Sequence, residues 1–102
     1  MRFSLVTTTI NVPSVLGLYR ELRDDVSIVV VGDDRTPDDE VRRLLRPLGN
    51  AVYYSRREQE LLGYQCSPLI GWNCIMRRNV AILEAMKLKP DVIINLIDQT
   101  VY

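Results

Sequence analysis

The chain reads as a single α/β domain over residues 1–102, with helices on both faces of a mostly parallel, Rossmann-like sheet. Two observations predict it. Four short runs rich in β-branched and apolar residues fall at 3–9, 26–31, 51–54 and 92–97, and segments with helix signals lie between them. The runs are apolar at successive positions, so both faces of each strand are expected to be buried, as in a parallel sheet covered on each side. Right-handed crossovers leave few topologies, and the order 3-2-1-4 with the first strand central is the expected one.

Each element has its own local reason. Residues 3–9 end in Thr7-Thr8-Thr9, a β-branched run suited to a buried strand. Residues 11–23 carry Pro13 near a helix start and Val15, Leu18, Tyr19 and Leu22 at helical spacing. The second run stops at Gly32. Thr36-Pro37-Asp38-Asp39 then offers a capping hydroxyl, a proline for the first helical position and acids for the first turn. The stripe Val41, Leu44, Leu45, Leu48 follows, and Gly49-Asn50 ends the helix. Residues 55–71 are irregular, with a short helical piece at 58–62. Residues 72–88 are expected to be the longest helix, with Trp72, Ile75, Met76, Ile82, Leu83 and Met86 on one face and Pro90 beyond its end.

Composition excludes several classes of function. Lys plus Arg and Asp plus Glu both number 13, so the zero net charge argues against nucleic-acid binding. No apolar run approaches the ~20 residues of a membrane helix. The N-terminus lacks the cleavage site of a signal peptide, so a cytoplasmic location is expected. The chain has no histidine, which removes Ser-His and Cys-His nucleophile schemes. Cys66 and Cys74 are expected to be buried free thiols, with a disulfide as the alternative.

The carboxyl ends of the expected strands carry three polar clusters: Thr7-Thr8-Thr9, Gly32-Asp33-Asp34-Arg35 and Asp98-Gln99-Thr100. Ligands of open α/β sheets bind at this edge, where the strand order reverses. Threonine hydroxyls can bond a base or ribose. Asp33 or Asp34 can accept from a base N–H or a sugar hydroxyl, with Gly32 allowing close approach. Asp98 can hold a divalent cation on a diphosphate; the alternative is a solvated acid near the chain end. No glycine-rich dinucleotide or P-loop motif is present. Asn79 falls on the apolar stripe of residues 72–88, so it is expected to bond a loop or line the site. Arg77 and Arg78 either face solvent beside Glu84 or Asp91, or one of them reaches a diphosphate with the guanidinium fork.

With these residues in view, the chain resembles the type-A glycosyltransferase fold, and within it the reversibly glycosylated polypeptide and STELLO-like group. The stretches that carry the resemblance are Val6-Thr7-Thr8-Thr9-Ile10-Asn11-Val12-Pro13, Val30-Val31-Gly32-Asp33-Asp34-Arg35-Thr36-Pro37 and Ile70-Gly71-Trp72-Asn73-Cys74-Ile75-Met76-Arg77-Arg78-Asn79. The last of these continues to Pro90-Asp91-Val92-Ile93-Ile94-Asn95-Leu96-Ile97-Asp98. The resemblance implies a UDP-sugar ligand, with the base and ribose near Thr7, Thr8, Thr9 and Asp33. It also implies Mn²⁺ or Mg²⁺ at the acidic motif after the fourth strand, where only Asp98 matches the family's run of aspartates. The acceptor-binding half of that fold would follow residue 102, so the chain corresponds to a truncated, N-terminal half that would not transfer sugar alone.

The expected function is therefore nucleotide-sugar binding as the front half of a glycosyltransferase. The alternative is a non-catalytic nucleotide-binding or regulatory module that has lost the metal motif. A response-regulator-like interaction domain would need an aspartate ending the third strand, where the chain has Tyr53-Tyr54-Ser55. A bare sheet edge would favour association into a homo-oligomer.

Overall fold

The computed structural model describes residues 1–9, 13, 15–22 and 25–96, and within them four strands form one sheet. They are β1 (Phe3–Thr9), β2 (Ser27–Gly32), β3 (Ala51–Tyr54) and β4 (Val92–Asn95). All pairings are parallel, in the order β3-β2-β1-β4, so the order reverses between β1 and β4 as the sequence predicts. β1 and β3 have their expected limits, and β2 is shifted by one residue to include Gly32. Residue 97 of the expected fourth strand lies outside the described residues.

The helices are α1 (Leu16–Leu22), α2 (Asp38–Leu45), α3 (Arg56–Leu62), α4 (Cys66–Ile70) and α5 (Arg78–Met86), with 3-10 turns at Arg46–Leu48 and Ile75–Arg77. α3 starts on a capping box: the Ser55 hydroxyl accepts from the Glu58 amide, and the Glu58 carboxylate accepts from the Ser55 amide. The 3.3 Å rise and alternating side chains of a strand sort the sheet into two cores. On one face Leu5, Ile28, Val30 and Tyr53 pack against Leu16 of α1 and Val41 and Leu45 of α2. On the other, Val6, Val29 and Val31 meet Val80, Ala81 and Ala85 of α5. Full burial of each valine or leucine stabilises by roughly 1.5–3 kcal/mol before chain entropy is counted.

Three local expectations are corrected. Gly32 does not leave room for a ligand. A Cβ there would sit 2.0 Å from the Tyr53 hydroxyl oxygen, and that hydroxyl crosses the strand end to donate to Asp38. Thr36 does not cap α2, which has Pro37 at its N-cap position and no side-chain cap bond. The Thr36 hydroxyl instead accepts from the Asp33 amide at 2.7 Å and donates to the Thr9 carbonyl, tying the ends of β1 and β2 together. β4 is not buried on both faces: Val92 and Ile94 are 38% and 41% exposed.

The helix expected over residues 72–88 is shorter, and it buries a different face. Asn73 adopts φ +59°, in the left-handed region that asparagine tolerates, and this breaks the helix before the 3-10 turn. Met76 and Met86 are exposed, whereas Arg77, Val80, Ala81, Glu84 and Ala85 are buried. These five recur at helical spacing, and their small members let α5 approach β1 and β2 closely. Asn79 lies off that face and is half-buried. Among the described residues no helix is long and apolar enough to cross a membrane.

Gly32→Ala forces its methyl group into the Tyr53 hydroxyl, and urea unfolding should show a loss of roughly 1–3 kcal/mol. The same hydroxyl predicts a response to alkali. Burial first, then the hydrogen bond to Asp38, raises the Tyr53 pKa above its ordinary 10.0. The folded state thus holds the phenol proton more tightly than the unfolded chain. Its contribution to stability is complete below pH 10 and falls as pH rises above that value. Unfolding midpoints between pH 8 and 11 should fall less steeply in Tyr53→Phe than in the wild type, with Tyr54, also raised by burial, keeping its own share.

Candidate functional site

The carboxyl edge of the sheet is where the sequence places its polar clusters, and most of them meet there. Thr7, Thr8 and Thr9 end β1 and are all buried. The Thr7 hydroxyl donates to the Leu96 carbonyl at 2.8 Å, joining β1 to the chain leaving β4. The Thr9 carbonyl receives the Thr36 hydroxyl. Thr8 shares its strand face with Val6, so its side chain lies on the side covered by α5. Its hydroxyl is buried with no hydrogen-bond partner among the described residues.

Asp33 follows β2 and is 2% exposed. One carboxylate oxygen accepts from the amides of Asp34 at 2.7 Å and Asn73 at 2.6 Å, and the other accepts from the Cys74 amide at 3.0 Å. A carboxylate that gathers backbone amides in this way is anchoring a loop. Asp33 therefore clamps residues 73 and 74 over the end of β2. Asp34 is exposed and turned towards α3, where it pairs with Arg56. Arg56 also bonds Glu60 at 3.1 Å and lies over the Trp72 ring at 4.6 Å.

Arg77 is the residue whose role the sequence does not reveal. Its side chain is fully buried. One terminal nitrogen donates to the carbonyls of Ser67 at 2.7 Å and Gly71 at 3.3 Å. The other donates to Gln59 Oε1 at 2.7 Å and Ser67 Oγ at 2.8 Å. The guanidinium also stacks on the Trp72 ring at 3.8 Å. Gln59, likewise fully buried, passes the network to the sheet by donating to the carbonyls of Gly32 and Tyr54 at 2.8 and 3.1 Å. Burial lowers the Arg77 pKa, and the nearby Asp33 carboxylate opposes that shift. Neither reading of Arg77 from the sequence holds: it does not lie on a solvated face beside Glu84 or Asp91, and its terminal nitrogens are already engaged. Glu84 pairs with Lys87 instead. The only signals in the sequence were the spacing of residues 77, 80, 81, 84 and 85 and the polar Ser67 and Gly71 upstream.

Arg78 and Asn79, the first two residues of α5, are both half-buried. The 3-10 turn before them and α5 itself pack on β1, so they belong to the layer that covers the sheet face carrying Thr8. Asp98 lies outside the described residues. The acids that are described do not fit a divalent cation, because Asp33 is filled by amides and Asp34 by Arg56. Among the described residues no group of three or more potential ligands gathers around one point. Cys66 and Cys74 are free, as expected, though half-buried.

Comparison with protein-family models finds no match to this chain, and neither do comparisons with curated proteins or with solved structures.

Arg77→Leu strands the acceptors on Gln59, Ser67 and Gly71 and should lower stability by roughly 3–5 kcal/mol in urea melts. Arg78→Leu, one residue along, should cost less than about 1 kcal/mol. The single tryptophan, Trp72, gives a fluorescence readout at the network itself.

Proposed function

We propose that this chain is a nucleotide-sugar-binding domain whose ligand is a UDP-sugar, held at the carboxyl edge beside the end of β1. The observation that carries this reading is the reversal of strand order between β1 and β4, with Thr7, Thr8 and Thr9 at that point. Open α/β sheets bind ligands where their strand order reverses. The buried Thr8 hydroxyl, without a partner among the described residues, keeps an unmet capacity to donate and accept at this edge. Arg78 and Asn79 stand on the same side of β1, and Arg78 supplies the cation for a diphosphate. Asp33 acts through the loop it clamps: its carboxylate sets the position of residues 73 and 74, beside the site.

The arrangement favours binding over transfer. Asp33 and Asp34 are already engaged by amides and by Arg56, so among the described residues arginine meets the diphosphate charge. Within the resemblance to type-A glycosyltransferases, this corresponds to the donor-binding half used as a recognition module.

Calorimetry with UDP, uridine, ATP and NAD tests the reading. UDP should bind more tightly than ATP or NAD. Arg78→Ala should weaken UDP by about 10- to 100-fold, the range of a charge-assisted hydrogen bond, while leaving uridine affinity unchanged. Heat with ATP and none with any uridine ligand would overturn it.

A further inference from the structure

β3 forms one edge of the sheet. Its ladder to β2 begins where the Ile28 amide donates to the Asn50 carbonyl at 2.9 Å, and the parallel register carries that alternation through Val52 and Tyr54. The amides and carbonyls of Ala51 and Tyr53 therefore point away from the sheet. No backbone group of another described residue bonds them. Clefts flank this edge on both faces. The cleft on the α2 side, about 230 Å³, is bordered by Arg42, Arg46 and Tyr53. The cleft on the α5 side, about 370 Å³, is bordered by Val52, Tyr54 and Leu88. Val52 and Leu88 are 38% and 47% exposed.

We propose that β3 is a docking edge for an extended acidic peptide from another protein, which adds as a fifth strand with acidic and apolar residues alternating. The alternation follows from the two clefts. Successive side chains of an added strand point to opposite faces, so one set meets the arginines and the other meets Val52 and Leu88. Charge selects the acids. Arg42 and Arg46 lie one helical turn apart at the rim, and Arg20 adds a third guanidinium by donating to the Gly49 carbonyl at 2.9 Å. Glu58 already pairs with Arg42, which leaves the exposed Arg46 as the chief contact for an incoming carboxylate. This surface lies at the side of the sheet and is independent of the nucleotide site.

The test uses fluorescence anisotropy with a labelled octapeptide of four Val-Glu repeats. It should bind saturably, with the amides of Ala51 and Tyr53 shifting in NMR spectra. A Val-Lys octapeptide, and the Val-Glu peptide N-methylated at alternate amides, should each bind at least about tenfold more weakly. Arg46→Glu should weaken the Val-Glu peptide by a similar factor without changing the melting temperature, since Arg46 is exposed. Equal binding of the Val-Lys or the N-methylated peptide would overturn the proposal, as would no saturation by about 1 mM. A dimer that forms without peptide and is lost in Arg46→Glu would assign the edge to a second copy of this chain, and would overturn it too.

Discussion

A buried guanidinium organises the irregular third of this domain. Removing Arg77 from water costs several kcal/mol, and hydrogen bonds to both terminal nitrogens offset much of that, while Nε is left without a partner among the described residues. The chain supplies four contacts from three residues, Gln59, Ser67 and Gly71, and stacks Trp72 on the guanidinium. Because Gln59 also bonds the carbonyls of Gly32 and Tyr54, the charge is wired directly to the ends of β2 and β3. Residues 59–77 thus have one arrangement that satisfies the network, and departures from it leave buried polar groups unpaired.

That arrangement shapes the carboxyl edge. Arg77 fixes the loop from inside and Asp33 fixes it from the sheet, through the amides of Asn73 and Cys74. The Asp33 carboxylate lies close enough to favour the charged form of Arg77. The loop in turn sets where α5 begins, and with it the positions of Arg78 and Asn79 relative to Thr8.

The sheet was legible because its signals are local. Val6, Val29, Val30 and Val31 sit in apolar β-branched runs, and Thr36, Pro37, Gly49 and Gly63 punctuate the chain between elements. Parallel pairing and right-handed crossovers then suffice for the order. The failures share one cause, which is that the decisive partner lies far along the chain. Gly32 looked like an opening for ligand until Tyr53, 21 residues on, was seen to fill it. Thr36 has the sequence context of a helix cap, yet its hydroxyl is claimed by Thr9. The sequence leaves Arg77 between a solvated face and a diphosphate contact, because no local pattern announces a cage built by residues 59, 67 and 71. Asp33 stands at the strand end where the sequence places it, but two of its partners are amides 40 and 41 residues away.

The most direct measurement of the central claim is native-state hydrogen exchange at the amides of Asn73 and Cys74, in the wild type and in Arg77→Lys. Lysine keeps the charge but loses the planar fork that reaches Ser67, Gly71 and Gln59 together. If the guanidinium holds the loop against Asp33, the two amides exchange in the wild type only through large-scale opening. In Arg77→Lys they should then exchange by local opening, at least about tenfold faster than the amides of β1 and β2. Unchanged protection of Asn73 and Cys74 relative to the sheet would contradict the account, because Asp33 alone would then suffice to hold the loop.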